Sequence, residues 1–335
     1  MSKQIVIVTP ALADANNGNW QTARRWQQFL APLYPTRLAK SWPDAEADGD
    51  AAMIALHARR SAASIAAWHE QHGGRNLALV LTGTDLYRDI DTDAAAQRSL
   101  ELARLLIVLQ EPGLQALPPA HRARTRVILQ SATARCPAQK TSRHLRALAV
   151  GHLRAEKAPA TLFAAVRLLA ERPDILIDHV GAALEPALGA QARQLMDACP
   201  NYRWLGGLPH EEARRRIQRA HVLINPSLME GGPHVVMEAV CSGTPVIASR
   251  IDGNLGMLGA DYEGYFAQGN AAGLAALLAA CRDEQAQPRG LLQRLGRQAQ
   301  SRRPLFAPEA ECGAVRQLAA DLLAGGAADA KKGRA

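Results

Sequence analysis

Short runs of aliphatic and β-branched residues recur along this chain, and nearly every one breaks into a small or polar turn and then a segment of helix length. Ile5-Val6-Ile7-Val8 stops at Thr9-Pro10 and leads, through a polar glycine-bearing stretch, to a helical pattern over 21–33. Residues 51–56 lead to a helix over 61–72, residues 77–81 to Thr82-Gly83-Thr84-Asp85, and residues 105–109 to Gln110. Short apolar strands separated by helices form a parallel sheet whose two faces are both covered. The spacing therefore predicts a doubly wound α/β domain over 1–140.

A second series begins at Leu148-Ala149-Val150-Gly151. It continues as helix 158–170, strand 175–180, helix 186–198, strand 202–205, helix 211–219, strand 222–224, helix 235–242 and strand 246–248. This predicts a second doubly wound, Rossmann-like domain over 145–303, joined to the first through the small and basic stretch 131–144. Beyond Pro304 and Pro308 the pattern gives an amphipathic helix over 309–323, so that 304–324 packs back toward the N-terminal domain and 324–335 forms a frayed tail. A length of 335 residues suits two cores. Ligands of open α/β sheets sit at the carboxyl ends of the strands, so the expected site is a cleft where the two domains face each other.

Hydrophobic residues make up 48% of the chain and charged ones 21%, the balance of a folded protein. Lys and Arg number 39 against 31 Asp and Glu, a net charge of +8 that favours anionic ligands. Nucleic acid is not the expected partner, because aromatics are only 4% and the dense basic runs are confined to 214–216 and 331–334. Five cysteines with no metal-type spacing read as reduced structural thiols. The N-terminus lacks the apolar core of a signal peptide, and no stretch approaches the roughly 18 apolar residues of a membrane span. The expectation is a cytoplasmic protein without a transmembrane segment.

The densest chemical signal is Pro226-Ser227-Leu228-Met229-Glu230-Gly231-Gly232-Pro233-His234-Val235-Val236-Met237-Glu238, followed by Gly243-Thr244-Pro245. Two carboxylates flank a glycine pair at the start of a helix, here expected to have Pro233 at its first position. Gly231 and Gly232 let backbone approach a ligand without a Cβ. The helix N-terminus at Gly232, His234 and Val235 would face a diphosphate. One turn on, Glu238 would accept from ribose hydroxyls, and Glu230 from hydroxyls of a sugar.

This segment resembles the E-x7-E motif of retaining GT-B glycosyltransferases of the family 4 type, and the resemblance extends through most of the chain. It implies the GT-B architecture, a nucleotide-sugar donor, and two cations on the donor diphosphate. In the stretch Val150-Gly151-His152-Leu153-Arg154-Ala155-Glu156-Lys157 the family lysine matches as Lys157, while the family arginine position holds His152, with Arg154 two residues on. The expectation is Arg154 with Lys157, since Arg grips a phosphate bidentately and Lys adds a point charge. No Asp-x-Asp lies near these residues, so no metal and no cofactor beyond the donor substrate are expected.

A narrower resemblance rests on His57-Ala58-Arg59-Arg60-Ser61, Thr82-Gly83-Thr84-Asp85-Leu86-Tyr87-Arg88-Asp89-Ile90, Gly151 to Arg154, Met229 to Gly232 and Gly253 to Gly259. These are similar to the selenosugar synthases of selenoneine biosynthesis. The resemblance implies coupling of UDP-N-acetylglucosamine or UDP-glucose to selenophosphate, with a carbon–selenium bond formed at the anomeric carbon. Asn17, His57, Arg59, Arg60, Thr82, Gly83 and Thr84 would then bind the acceptor, and Gly18 with Asn19 would form a glycine loop facing the donor phosphates. Arg59 and Arg60 read equally as solvated charge, His57 as a satisfied loop histidine and Asp85 as a helix cap. The competing readings are a GT-B enzyme with a hydroxyl acceptor, a nucleotide-sugar isomerase and a non-catalytic sensor.

Overall fold

The apolar runs do form strands, and every strand pairs in parallel with its neighbours. The computed structural model of the chain describes residues 3–11 and 18–332, with side chains as far as 324. It divides into two units, one made of 1–131, 230–232 and 308–335, the other of 132–229 and 233–307.

In the first unit β1 (Gln4–Val8), β2 (Thr36–Ala39), β3 (Asp50–Leu56), β4 (Leu77–Leu81), β5 (Leu105–Val108) and β6 (Thr125–Val127) lie in the order β2-β1-β3-β4-β5-β6. Alternate side chains of a strand point to opposite faces. Ile5, Ile7, Ile54, Leu56 and Val80 accordingly pack with Trp26 and Leu30 of helix Gly18–Leu30 and with Val315, Leu318 and Leu322 of helix Pro308–Lys332. Val6, Val8, Met53, Ala55 and Leu79 pack on the other face with Ile65 and Trp68 of helix Ala62–His72 and Leu100 of helix Ala94–Leu102. Fully burying each such large aliphatic side chain contributes about 1.5–3 kcal/mol.

Three local expectations change. The first helix starts at Gly18 and ends at Leu30, because Ala23, Trp26 and Leu30 lie fully buried on one stripe and packing outweighs the weak helix propensity of glycine. The edge strand β2 escapes its sequence pattern, since Leu38 is its single large aliphatic residue; it pairs with β1 through Ile5 opposite Thr36. The last helix continues to Lys332 instead of fraying at 324, as alanines after Gly326 restore helix propensity.

That last helix is fastened by one buried carboxylate. Glu311, 2% exposed, accepts from Arg25 Nε at 2.7 Å and Nη2 at 3.0 Å and from Trp26 Nε1 at 2.7 Å. It also accepts from the Ser131 amide at 2.7 Å and hydroxyl at 2.6 Å.

In the second unit β7 (Leu145–Val150), β8 (Ile175–Val180), β9 (Tyr202–Trp204), β10 (Val222–Asn225), β11 (Val246–Ser249) and β12 (Tyr265–Phe266) lie in the order β12-β11-β10-β7-β8-β9. The chain winds outward from β7 to β9, then returns beside β7 as β10 and winds the other way. Helices Pro159–Leu168 and Pro186–Ala198 both open on proline, whose missing N–H costs nothing at a first helical position. Helix His210–Arg219 carries Glu211 and Glu212 in its first turn and Arg216 and Arg219 in its last, matching the helix dipole. The remaining helices, His234–Cys241, Asp252–Leu258, Ala271–Asp283 and Leu291–Arg302, complete the cover. All five cysteines are free thiols. No helix among the described residues is long and apolar enough to cross a membrane.

Glu311→Ala leaves the Arg25 guanidinium, the Trp26 indole and the Ser131 amide without their shared acceptor. It should destabilise the folded protein by about 3–5 kcal/mol, read as a lower urea midpoint in equilibrium unfolding.

Candidate functional site

In a doubly wound sheet the crevice forms where strand order reverses, at the carboxyl ends. In the second unit that place lies between β7 and β10, and a pocket occupies it, lined by Val150, Gly151, Lys157, His179, Asn225 and Ser227 among others. The turn after β7 supplies one wall. Its backbone continues through Arg154 into the short helical turn Ala155–Lys157, and the Lys157 side chain runs back past Gly151, where a Cβ would stand 3.4 Å from Lys157 Cδ. The loop after β10 supplies the other wall, tied to the first by the Leu228 amide donating to the Glu156 carbonyl at 2.9 Å.

Each wall is fixed from beneath by buried polar groups. His179 donates from Nε2 to the Gly151 carbonyl at 3.2 Å and accepts at Nδ1 from the Tyr202 hydroxyl at 3.0 Å. Burial lowers its pKa to about 4, so at neutral pH it is an uncharged support. Gly181 comes so close to the Gly151 turn that a Cβ there would sit 1.9 Å from the Gly151 carbonyl oxygen. Below the second wall, Asn225 Nδ2 donates to Asn254 Oδ1 at 2.8 Å, Ser227 Oγ to Asn225 Oδ1 at 2.8 Å, and Ser249 Oγ to the Ser227 carbonyl at 2.6 Å. Asn254 Nδ2 closes the network on the Ser249 carbonyl at 2.9 Å.

His152 takes no cationic role. Its Nδ1 accepts from the Ala182 amide at 3.1 Å, and burial, then Arg154 and Lys157, hold its pKa below the usual imidazole value. The positive charge of this turn therefore comes from Arg154 and Lys157. Arg154 is half-buried, with Nε 4.0 Å from Glu156 Oε2.

From the loop after β10 the chain passes half-buried Glu230, then Gly231 and Gly232, to the helix His234–Cys241. Pro233 is the residue before the helix and not its first position; its carbonyl accepts from the Val236 amide at 3.0 Å. His234 and Val235 form the first turn. Glu238 lies on the buried side of this helix, 6% exposed, with His210 Nε2 2.6 Å from its Oε1.

The first unit presents its own cluster at the carboxyl ends of β3 and β4. His57 is 2% exposed and holds a left-handed backbone, φ 74°, a conformation rare outside glycine that accumulates at functional sites. Its Nε2 lies 3.1 Å from Thr84 Oγ1. Burial keeps its pKa below the usual value against the opposing pull of Asp85 and Asp89. Asp85 is no ordinary helix cap: it accepts from the amides of Ala58 and Thr82 at 2.9 Å and of Gly83 at 2.8 Å, locking the two loops together. Asp89 receives Arg59 Nε at 2.9 Å and Arg88 Nε at 3.1 Å, and desolvation notwithstanding, those guanidiniums hold its pKa below the usual carboxylate value. Arg60 is exposed beside them.

Gly18 and Asn19 do not form a loop; they are the first two residues of helix Gly18–Leu30, and Thr22 Oγ1 donates to the Gly18 carbonyl at 2.9 Å. Asn17 lies outside the described residues. Sequence reading also passed over His179, Ser249 and His210, and took Arg214 only as part of the solvated basic run 214–216, whereas its side chain is buried. The available signals were polar residues at the ends of otherwise apolar strands, as in Leu223-Ile224-Asn225 and Val246-Ile247-Ala248-Ser249.

Residues 135–302 match the family described as glycosyl transferases group 1. Among solved structures, sucrose-phosphate synthase from Thermosynechococcus elongatus is 17% identical with a TM-score of 0.75, over 96% of this chain and 99% of that one. HepE from Anabaena, solved with UDP-glucose, is 14% identical with a TM-score of 0.72, over 97% and 100%. A TarM variant from S. aureus, solved with fondaparinux, α-GlcNAc-glycerol and UDP, is 13% identical with a TM-score of 0.63 over 81% of this chain, which spans 55% of that protein's length. At these identities the likeness establishes the fold, the GT-B architecture of two Rossmann-like domains.

His179 yields a pH prediction. Its pKa of about 4 lies below the unfolded value of 6.5, so between these values the unfolded chain binds a proton that the folded one does not. Its contribution is complete above about pH 6.5 and is lost as pH falls toward 4, amounting to about 3 kcal/mol at about 1.4 kcal/mol per tenfold change in proton affinity. Urea unfolding of His179→Gln should show a shallower loss of stability across this window than the unsubstituted protein.

Proposed function

Because the chain belongs to the group 1 glycosyltransferases, we propose that it transfers the sugar of a UDP-linked donor, UDP-glucose or UDP-N-acetylglucosamine, to the small anionic acceptor selenophosphate. The observation that carries the donor half is Lys157 lining the pocket at the reversal of strand order, with Arg154 on the same turn. Both cations offset the charge that develops on the departing diphosphate, and the first turn of helix His234–Cys241 adds amide hydrogens. Glu230 takes hydroxyls of the transferred sugar and Glu238 those of the ribose. The UDP-bound HepE and TarM structures support a UDP-linked donor.

The acceptor half draws on the resemblance to selenosugar synthases and on the first unit's cluster. Arg59 and Arg88 place two guanidiniums on the buried carboxylate of Asp89, and Arg60 is exposed on the same loop as Arg59, a concentration of positive charge suited to a phosphate-like anion. His57 and the loop 82–84 supply neutral hydrogen-bonding groups beside them. The acceptor's selenium is already anionic and needs no base. Its electron pair forms the bond to the anomeric carbon as the bond to UDP oxygen breaks and those electrons leave on UDP. Water then takes the phosphoryl group from selenium, releasing phosphate. This assignment uses no metal.

UDP release from each UDP-sugar, with and without selenophosphate, tests the reading. Strict dependence on selenophosphate is expected, with Lys157→Ala lowering turnover by about 100-fold or more, the usual effect of removing a charge-stabilising group. Turnover without acceptor would assign a hydrolase or isomerase, and turnover only with an alcohol would assign a hydroxyl acceptor.

A further inference from the structure

Glu238 is gripped from one side by a single helix. His210, the first residue of helix His210–Arg219, brings Nε2 to 2.6 Å from Glu238 Oε1. A carboxylate only accepts, so that nitrogen carries the proton and donates. Arg214, one turn along on the same helical face, places Nε 3.8 Å from the same oxygen while its Nη2 donates to the Thr133 carbonyl at 2.7 Å. The two contacts engage Oε1 and thereby set the plane of the carboxylate and the direction of Oε2.

The two partners differ in kind. Arg214 is buried and anchored to backbone, so its loss disturbs packing as well as charge. The His210 side chain is 43% exposed, and a contact at that exposed rim adds little to the stability of the fold. Its 2.6 Å bond does fix the orientation of a carboxylate that is itself 93% buried and has little water to compete for it. We infer that His210 is a positioning residue for Glu238, aiming its carboxylate at the ribose hydroxyls of the nucleotide; this rests on the donor reading above.

A residue that only braced the helix would affect every nucleotide alike, whereas one that aims the carboxylate affects recognition of the ribose. Calorimetric affinities for UDP and 2′-deoxy-UDP, in the unsubstituted protein and in His210→Ala and His210→Gln, separate the two. The unsubstituted protein should prefer UDP by about tenfold, which corresponds to about 1.4 kcal/mol, the scale of a hydrogen bond to a charged acceptor. His210→Ala should reduce that preference to about twofold or less, while His210→Gln, whose side-chain amide still donates, keeps it. An unchanged preference in His210→Ala, with both affinities intact or both lowered equally, overturns the inference and leaves the donor reading standing. Failure of UDP to bind the unsubstituted protein saturably overturns the donor reading and the inference with it.

Discussion

Parallel pairing of β7 with β10, Ala147 opposite Val222 and Ala149 opposite Ile224, brings together two segments that the sequence separates by the whole excursion through β8 and β9. Parallel strands run their carboxyl ends to the same edge, so the turn after Val150 and the loop after Asn225 emerge side by side. Everything proposed for the donor follows from that adjacency. Lys157 can reach a ligand beside the loop after β10 because the Leu228 amide is bonded to the Glu156 carbonyl, and the helix His234–Cys241 starts where that loop ends.

The walls of the pocket owe their shape to polar groups buried without charge. His179 beneath the Gly151 turn and the Asn225, Ser227, Ser249 and Asn254 network beneath the opposite loop are each met by partners at hydrogen-bond distance. Unsatisfied, each would cost about 1–3 kcal/mol, so the arrangement in which all are satisfied is strongly selected over its neighbours. Asp85 in the first unit works in the same way with a charge, drawing three backbone amides from two loops onto one carboxylate. Glu311 does so for the last helix. The loops that carry the side chains proposed to face a ligand are thus built on rigid supports, the condition for holding such side chains in place.

Much of this was legible in the chain itself. Strands 5–8, 77–81 and 175–180 and helix 186–198 announce themselves through runs, period and proline placement, and the segment from Glu230 to Glu238 shows its glycine pair and helix start directly. Gly18 and Asn19 misled because glycine reads locally as loop, while the stripe Ala23, Trp26 and Leu30 draws the helix back over them. His152, at the family arginine position, has a role that its neighbours in sequence do not reveal. Only the approach of the Ala182 amide, 30 positions away, makes it an acceptor.

The sequence by itself determined the alternation of strand and helix, the doubly wound class and the glycine-bearing turns that follow β4, β7 and β10, because period and turn chemistry act between residues a few positions apart. Tertiary structure alone decided which polar groups meet. Glu311 joins Arg25 across 286 positions, and His210 reaches Glu238 across 28. Such pairings depend on strand order and on which helix packs beside which, and a local pattern of apolar and polar residues carries no record of either.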